Sequence, residues 1–395
     1  MDIDIPRGAE LIIERLEELG HRADIVGGPV RDALLGRTPY DFDITTSARP
    51  DEITAAFSDM RVVETGIAHG TVTVIVDGEN YEVTTYRIDG EYKDGRHPES
   101  VTFTAAIEDD LSRRDFTVNA MAYSKKHGLT DKFSGKEDLA ARLIRAVGDP
   151  RRRFEEDALR ILRALRFASV LGFEIEENTA RAVKECRELL RLVSVERIYA
   201  EWSKLIGGSN AYGILSEFSE VVAVFLPELD GVTLPRKDLF DSASATARFI
   251  SLFAENLEKN AAESFEVAAR RLKTDAHIRK VGRLTLENLH LKTDTKTDVL
   301  HLLSKVGEEC AELVISVRAV LGISRFSDLD ILQKALADGE AFKISDLDID
   351  GAELVAAGLR GPSVGAALSE LLALVIDGKL PNNKEALVAY ILNKT

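Results

Sequence analysis

Asp41 and Asp43, one residue apart, stand behind a glycine pair and a short apolar stretch, a pattern able to hold a divalent cation against a phosphate chain. Alternate residues of a strand share a face, so the two carboxylates would project together, about 6–7 Å apart along the chain. Mg²⁺ is commonly held by one or two carboxylates plus substrate phosphates. Upstream, Ile25-Val26-Gly27-Gly28-Pro29-Val30-Arg31-Asp32 reads as a strand that ends at two glycines and opens a helix. Glycine lets the backbone come close to a ligand, Pro29 suits the first helical position, and a helix start presents free N–H groups to phosphate. Asp-x-Asp alone is ordinarily a solvated strand edge; the order and spacing of the pieces point to phosphoryl or nucleotidyl transfer. No Gly-x-Gly-x-x-Gly follows the strand and no Gly-Lys-Ser/Thr follows the glycines, which argues against a dinucleotide fold and a Walker-type loop.

Two further segments carry candidate groups. Glu82 is an acid inside the β-branched and aromatic run Tyr81–Arg87. Read alone it is an outward glutamate on an edge strand. Beside Asp41 and Asp43 it completes a carboxylate triad, able to position a metal and to orient or deprotonate an attacking hydroxyl. In Arg113-Arg114-Asp115-Phe116-Thr117-Val118-Asn119 an arginine held toward a cleft competes with a helix cap carrying a local ion pair. Arginine's planar, two-pronged donor set suits a triphosphate.

The third segment, Arg151 to Arg166, reads as one helix with Asp157, Arg160, Arg163 and Arg166 at three-residue steps. Such steps place neighbours about 60° apart around the axis, so Asp157 meets Arg160, Arg163 comes next, and Arg166 winds to the far side. Ala158, Ile161, Leu162 and Leu165 form the opposing apolar stripe. The plain alternative is an amphipathic helix with i,i+3 ion pairs. The functional reading is chemical. Cytosine and adenine both present an amino donor beside a ring-nitrogen acceptor, which Asp157 and Arg160 complement. Guanine and uracil present the reverse and would leave both groups mispaired, at a cost of about 1–3 kcal/mol each.

The elements that must position these groups divide at about residue 148. Before it, an amphipathic helix at Gly8–Leu19 precedes strand-like runs at Ala23–Val26, Asp41–Thr45, Val72–Val76, Tyr81–Arg87 and Met121–Tyr123, with Asp77-Gly78 as a hairpin turn. Short connections imply a mixed or antiparallel sheet. After it the pattern is helical, with Phe154–Leu171 and Val195–Ile206 prominent and Pro227–Lys237 as the best linker. Composition is ordinary for a soluble chain: 395 residues, 45% hydrophobic and 30% charged. No apolar run is long enough for a bilayer, the start Met1-Asp2-Ile3-Asp4 lacks signal-peptide features, and Cys186 and Cys310 have no metal-like spacing. A cytoplasmic protein without membrane contact is expected. The net charge of −16 argues at first against nucleic acid, but its distribution does not. Leu111–Arg166 carries 14 lysines and arginines against 8 acids, a local +6 that leaves −22 for the rest.

Taken together, Gly27-Gly28-x-Val-Arg31-Asp32, Asp41-x-Asp43, Glu82-Val-Thr-Thr, Arg113-Arg114-Asp115 with Asn119, Glu156-Asp157-Ala-Leu-Arg160 and Val195-Glu196-Arg197 with Glu201 resemble the class II tRNA nucleotidyltransferases, the CCA-adding enzymes of the polymerase-β-like superfamily. The match is close over the first ~210 residues and looser at Asp350-Gly351 and Gly361–Gly365. The resemblance implies an α+β head over 1–148, then an all-α neck over 149–210, body over 211–300 and tail over 301–395. It implies Mg²⁺ on Asp41 and Asp43, catalytic roles for these and Glu82, and nucleotide contacts at Gly28, Arg31, Arg114, Asp157, Arg160, Arg163 and Arg166. The implied reaction adds C, C and A to a tRNA 3′ end from CTP and ATP, releasing pyrophosphate. The helical C-terminal half would read the acceptor arm by shape. The segment Asp89–Pro98 resembles the family's flexible element for switching from C to A, and no basic insertion of the poly(A) polymerase kind follows Gly36. The absence of any His-Asp dipeptide speaks against a phosphohydrolase domain. An A-adding or poly(A)-adding relative, and a non-catalytic RNA-binding protein on this scaffold, remain the alternatives at this point.

Overall fold

The structure, a computed structural model, describes residues 3–39, 41–64, 66–90, 92, 100–254 and 260–394. Most of the segment expected to switch between nucleotides, 91 and 93–98, lies outside the described residues. The chain forms two compact units, Met1–Pro227 and Glu228–Thr395, and the boundary falls at the start of the expected linker.

The first unit contains strands β1 (Ala23–Val26), β2 (Ile44–Thr46), β3 (Arg61–Val63), β4 (Thr71–Val76), β5 (Glu79–Thr85), β6 (Arg87–Asp89), β7 (Val101–Phe103), β8 (Met121–Ser124), β9 (Gly128–Asp131), β10 (Leu143–Ile144) and β11 (Glu174–Ile175). Its helices are α1 (Arg7–Glu18), α2 (Gly28–Leu34), α3 (Pro50–Ala56), α4 (Ile107–Ser112), α5 (Gly135–Ala141), α6 (Pro150–Glu156), α7 (Leu159–Leu171), α8 (Glu177–Glu185), α9 (Val195–Ile206), α10 (Ala211–Glu217) and α11 (Ser219–Val222). Seven strands form one sheet in the order β3-β4-β5-β2-β1-β8-β9. Only β2 and β5 pair in parallel; the other pairs of this sheet are antiparallel, so it is mixed as expected. Asp77 and Gly78 have positive φ, 52° and 88°, the backbone a two-residue hairpin with the right twist needs. Strand β4 alternates half-buried Thr71, Thr73 and Ile75 with buried Val72, Val74 and Val76, the period-2 signature of a sheet covered on one face. α1 and α3 pack on each other and on these strands.

Two expectations about elements change. Regular β2 starts at Ile44, after the aspartates, although Asp43 continues the ladder by accepting from Val26 N at 3.0 Å. The alternation survives: Asp41 and Asp43 are exposed, Phe42 and Ile44 buried. The expected helix Phe154–Leu171 is two helices. Asp157 ends α6 in an extended conformation, φ −142° and ψ 105°, and its Oδ1 accepts from Leu159 N at 3.1 Å to open α7. A short acid that bonds the backbone two residues on competes with helical bonding, and here it wins. The apolar stripe Ala158, Ile161, Leu162 and Leu165 is buried as expected, and α7 packs along α9.

The second unit is helical throughout: α12 (Lys237–Asp241), α13 (Ala245–Ala254), α14 (Ala261–Arg271), α15 (Ala276–Glu287), α16 (Lys296–Val306), α17 (Glu308–Val320), α18 (Asp328–Ala337), α19 (Gly351–Ala356), α20 (Pro362–Ile376) and α21 (Lys384–Leu392). Its core gathers Leu300, Leu303, Val314, Leu332, Leu354, Leu371 and Leu387 from α16 to α21. The rings of Phe249, Phe253 and Phe265 pack 5.3–5.6 Å apart, centroid to centroid. Among the described residues no helix is long and apolar enough to cross a membrane.

Candidate active site

Gly27 carries the turn from β1 into α2. Its φ of +79° is one that side-chain-bearing residues rarely adopt, and an added Cβ would stand 3.2 Å from Arg114 Nη1. The glycine therefore lets a guanidinium close over the turn. Pro29 follows in the first turn of α2, as the sequence suggested, and the first intrahelical bond runs from Arg31 N to Gly27 O at 3.1 Å.

A cleft of about 470 Å³ opens at this turn, lined by Gly27, Gly28, Pro29, Arg31, Asp32, Asp41, Asp43, Arg114, Asp115, Asn119, Arg163, Arg166 and Phe167. Seven of the residues singled out in the sequence thus meet in one place: Gly28, Arg31, Asp41, Asp43, Arg114, Arg163 and Arg166. Glu82 stands beside them through the parallel pairing of β2 and β5. Ile44 pairs with Val83, so the preceding residues Asp43 and Glu82 neighbour each other on the face opposite the core. The electrostatics agree. Loss of water first, then the Glu82 carboxylate, raise the pKa of the Asp43 carboxyl; Asp41 adds to this and the Arg114 guanidinium opposes it. Such crowding of like charge is what a cation would relieve, and the donors are hard oxygens suited to Mg²⁺. Among the described residues no three His, Cys, Asp or Glu side chains form a ready ligand set. Two aspartates completed by substrate phosphates need none.

The opposite wall is a chain of anchored arginines. Arg31 holds Asp32 through Nε and Nη2, both at 2.9 Å, and donates from Nη1 to Asn119 Oδ1 at 2.7 Å. Asn119 Nδ2 donates to Asp115 Oδ1 at 3.2 Å, and Asp115 Oδ2 accepts from Arg163 Nε at 2.8 Å and Nη2 at 2.5 Å. Arg166 Nε donates to Glu201 Oε2 at 2.7 Å. Asp115 is buried, which by itself would raise its pKa; the charge and hydrogen bonds of Arg163 outweigh that and hold it down to about 2. Arg114 Nη2 reaches Asp110 Oδ2 at 3.2 Å, while its Nε is buried without a partner. Arg113 is not among the cleft-lining residues and is bound twice to Asp110 Oδ1, at 2.7 and 2.9 Å.

The pair expected to read the base is near this wall but not among the cleft-lining residues. Asp157 Oδ2 accepts from Arg197 Nη2 at 2.8 Å. Arg160 donates from Nη1 to Glu156 Oε2 at 2.6 Å and to Arg153 O, and from Nη2 to Arg113 O at 3.0 Å. The helix break sets their relation, so the side-by-side placement expected from a single helix does not apply. Arg163 and Arg166 both lie on α7 beyond the break and line the cleft, which Asp157 does not. Asp115, Asn119, Glu201 and Phe167 are site-shaping residues that spacing did not single out by role. Their signal, acids and an amide at distance from the arginines they hold, is legible only in three dimensions.

The comparisons decide the family. Residues 23–145 match the model described as "Poly A polymerase head domain", 172–231 that of the "Probable RNA and SrmB-binding site of polymerase A", and 244–391 that of "tRNA nucleotidyltransferase domain 2". The CCA-adding enzyme of Pediococcus pentosaceus is 37% identical over 390 residues, covering 96% of both chains. The chain belongs to the CCA-adding enzymes. The CCA-adding enzyme of Lactobacillus helveticus is likewise 37% identical, over 96% of this chain and 95% of its own. A crystal structure of the Bacillus stearothermophilus CCA-adding enzyme in complex with CTP superimposes with a TM-score of 0.80 at 32% identity, over 99% of this chain and 98% of that one. The fold also matches the Thermotoga maritima CCA-adding enzyme complexed with tRNA, TM-score 0.69 at 21% identity. CCA-adding enzymes are nucleotidyltransferases, so the chain is an enzyme of that class, and the full-length matches support this over an A-only or non-catalytic reading.

Proposed function

We propose that this chain adds C, C and A in turn to the 3′ end of tRNA, taking CTP and ATP without a nucleic-acid template and releasing pyrophosphate. One observation carries the reading. A single cleft gathers the glycine turn, Asp41 and Asp43, and the guanidinium groups of Arg31, Arg114, Arg163 and Arg166. The arginines supply planar donor sets for the triphosphate, and Asp115, Asn119 and Glu201 aim them. The terminal ribose oxygen of the RNA forms a bond to the α-phosphorus as the bond to the pyrophosphate oxygen breaks, and the hydroxyl proton leaves toward the carboxylate corner. Glu82, beside Asp43, orients that hydroxyl or accepts its proton. Asp41 and Asp43 would hold Mg²⁺, which supplies Lewis-acid stabilisation of the developing charge.

Base choice falls to Asp157 and Arg160. Arg197 and the Leu159 amide orient the Asp157 carboxylate while leaving it further lone pairs for an amino group. Glu156 braces Arg160 for a ring nitrogen. Head 1–148, neck 149–210, body 211–300 and tail 301–395 would divide this work, with the helical half measuring the acceptor arm, in the cytoplasm. The test is direct. Purified protein is incubated with tRNA lacking CCA and with CTP and ATP, separately and together. Sequential addition of two C residues and then one A is expected; A without any C would overturn the reading.

A further inference from the structure

We infer that Phe167 is a positioning residue for the triphosphate: its ring is the common surface against which three of the four cleft arginines, Arg31, Arg163 and Arg166, are held. This rests on the function proposed above and adds a residue whose role motif spacing did not suggest. The Cζ atoms of Arg31, Arg163 and Arg166 lie 5.3, 5.3 and 3.5 Å from the ring centroid, all within cation–π range. Each guanidinium is tied elsewhere by a different acceptor: Arg31 by Asn119, Arg163 by Asp115, Arg166 by Glu201. The ring itself is fixed. Phe167 is only 5% exposed, and it meets Phe116 edge-on at 5.8 Å and 77°.

The chemistry of the contact explains what a ring achieves that an aliphatic side chain cannot. Three cations this close repel one another, and the negative face of an aromatic ring offsets part of that repulsion. A guanidinium lying against a ring uses its own face for the contact and keeps its edge N–H groups for oxygens. Arg166 is also the immediate neighbour of Phe167 on α7, where successive side chains normally diverge. Its guanidinium nevertheless folds back to within 3.5 Å of the ring centroid while holding Glu201. The phosphate wall is therefore arranged before a nucleotide arrives, and the binding step is spared that ordering cost.

The test uses the full-length protein with tRNA lacking CCA for CTP and tRNA ending in CC for ATP. Activity of the parent is measured first, because a parent that adds no nucleotide defeats the functional reading rather than this inference. In Phe167→Leu, KM for CTP and for ATP should rise together, by about tenfold, with kcat within about twofold of the parent. The inhibition constant of inorganic tripolyphosphate, which has no base, should rise by the same factor. Phe167→Tyr, which keeps the ring, should restore most of the loss. If the leucine variant fails to fold, Phe167→Met fills similar space without a ring and takes its place. Parent-like constants in the ringless variant, a change for one nucleotide only, a loss confined to kcat, or a tyrosine variant no better than leucine would each overturn the inference.

Discussion

In Met1–Pro227 the buried acids Asp24, Asp110, Asp115 and Glu201 each accept from an arginine side chain, whereas in Glu228–Thr395 the buried arginines Arg248 and Arg318 donate to backbone carbonyls. Arg248 reaches Phe240 O and Asp241 O, and Arg318 reaches Leu289 O, so both tie down chain ends between helices. The ion pairs of the helical unit, such as Arg283–Glu287 and Lys384–Glu353, stand in solvent. Burying an acid against an arginine costs desolvation that the pair barely offsets, and an apolar pair of similar volume would often be more stable. The catalytic unit accepts that cost where three of the arginines concerned, Arg114, Arg163 and Arg166, face the cleft. The lesson is that buried acids of the first unit hold arginines, three of them at the cleft, while the buried arginines of the second unit hold backbone carbonyls at helix ends.

The sharpest way to break this contrast is to remove charge that is meant to act rather than to support. Asp41→Ala combined with Asp43→Ala should lower the rate of nucleotide addition by about a thousandfold or more. Both side chains are exposed toward the cleft, so the midpoint of thermal unfolding should hardly move. A fall in activity that tracks a loss of folded protein would mean that the pair is structural.

Asp115→Asn should lower stability as well as triphosphate binding, since Asp115 holds Arg163 at the cleft. It leaves Arg163, whose side chain is 33% exposed at the cleft, short of its counter-charge, so the cost should fall below the ~3–5 kcal/mol of breaking a fully buried pair. Urea unfolding followed by the fluorescence of Trp202, the single tryptophan and fully buried in this unit, reads that loss. The pH dependence has a definite sign. The Asp115 carboxyl sits at about 2 in the folded protein against an ordinary 3.8, so its contribution is complete above about pH 4 and disappears as pH falls toward 2. That contribution is about 2 kcal/mol. The asparagine variant should lack this part of the acid transition; an unchanged acid profile would remove Asp115 from the account.

Asp157→Ala sharpens the comparison within the catalytic unit, between cations that hold phosphate and a carboxylate that reads a base. Discrimination against UTP and GTP, measured as ratios of kcat/KM, should fall by about tenfold or more, while inhibition by tripolyphosphate changes little. An equal loss for all four nucleotides would assign Asp157 to holding Arg197 alone.

Much of this arrangement was legible in the residues, for a physical reason. Gly27, Asp41, Asp43 and Glu82 are placed by strand parity and a tight turn, which are local rules that spacing along the chain encodes. The stripe Ala158–Leu165 and the helix Val195–Ile206 follow from apolar periodicity in the same way. What spacing could not convey was the break at Asp157, since the periodicity of the flanking residues runs on through it. One side-chain bond to Leu159 N there outweighs helical continuity. Nor could it convey the tie from Asn119 to Arg31 across 88 residues, or that from Asp115 to Arg163 across 48, because tertiary packing alone brings such partners together.

The smallest expected effect belongs to the second unit. Lys384→Ala removes the partner of Glu353 on the solvent side of α19 and α21. Both side chains are open to water, where screening and the entropy of two long side chains cancel most of the attraction. Asp350, which caps α19 by accepting from Glu353 N at 2.9 Å, keeps the helix start in place whether or not the lysine is present. Calorimetric unfolding should therefore show no resolvable change, and CTP incorporation should match the parent. A clear drop in the unfolding midpoint would show that surface charge does supporting work in the helical unit after all, and the contrast with the buried pairs of the catalytic unit would then be one of degree.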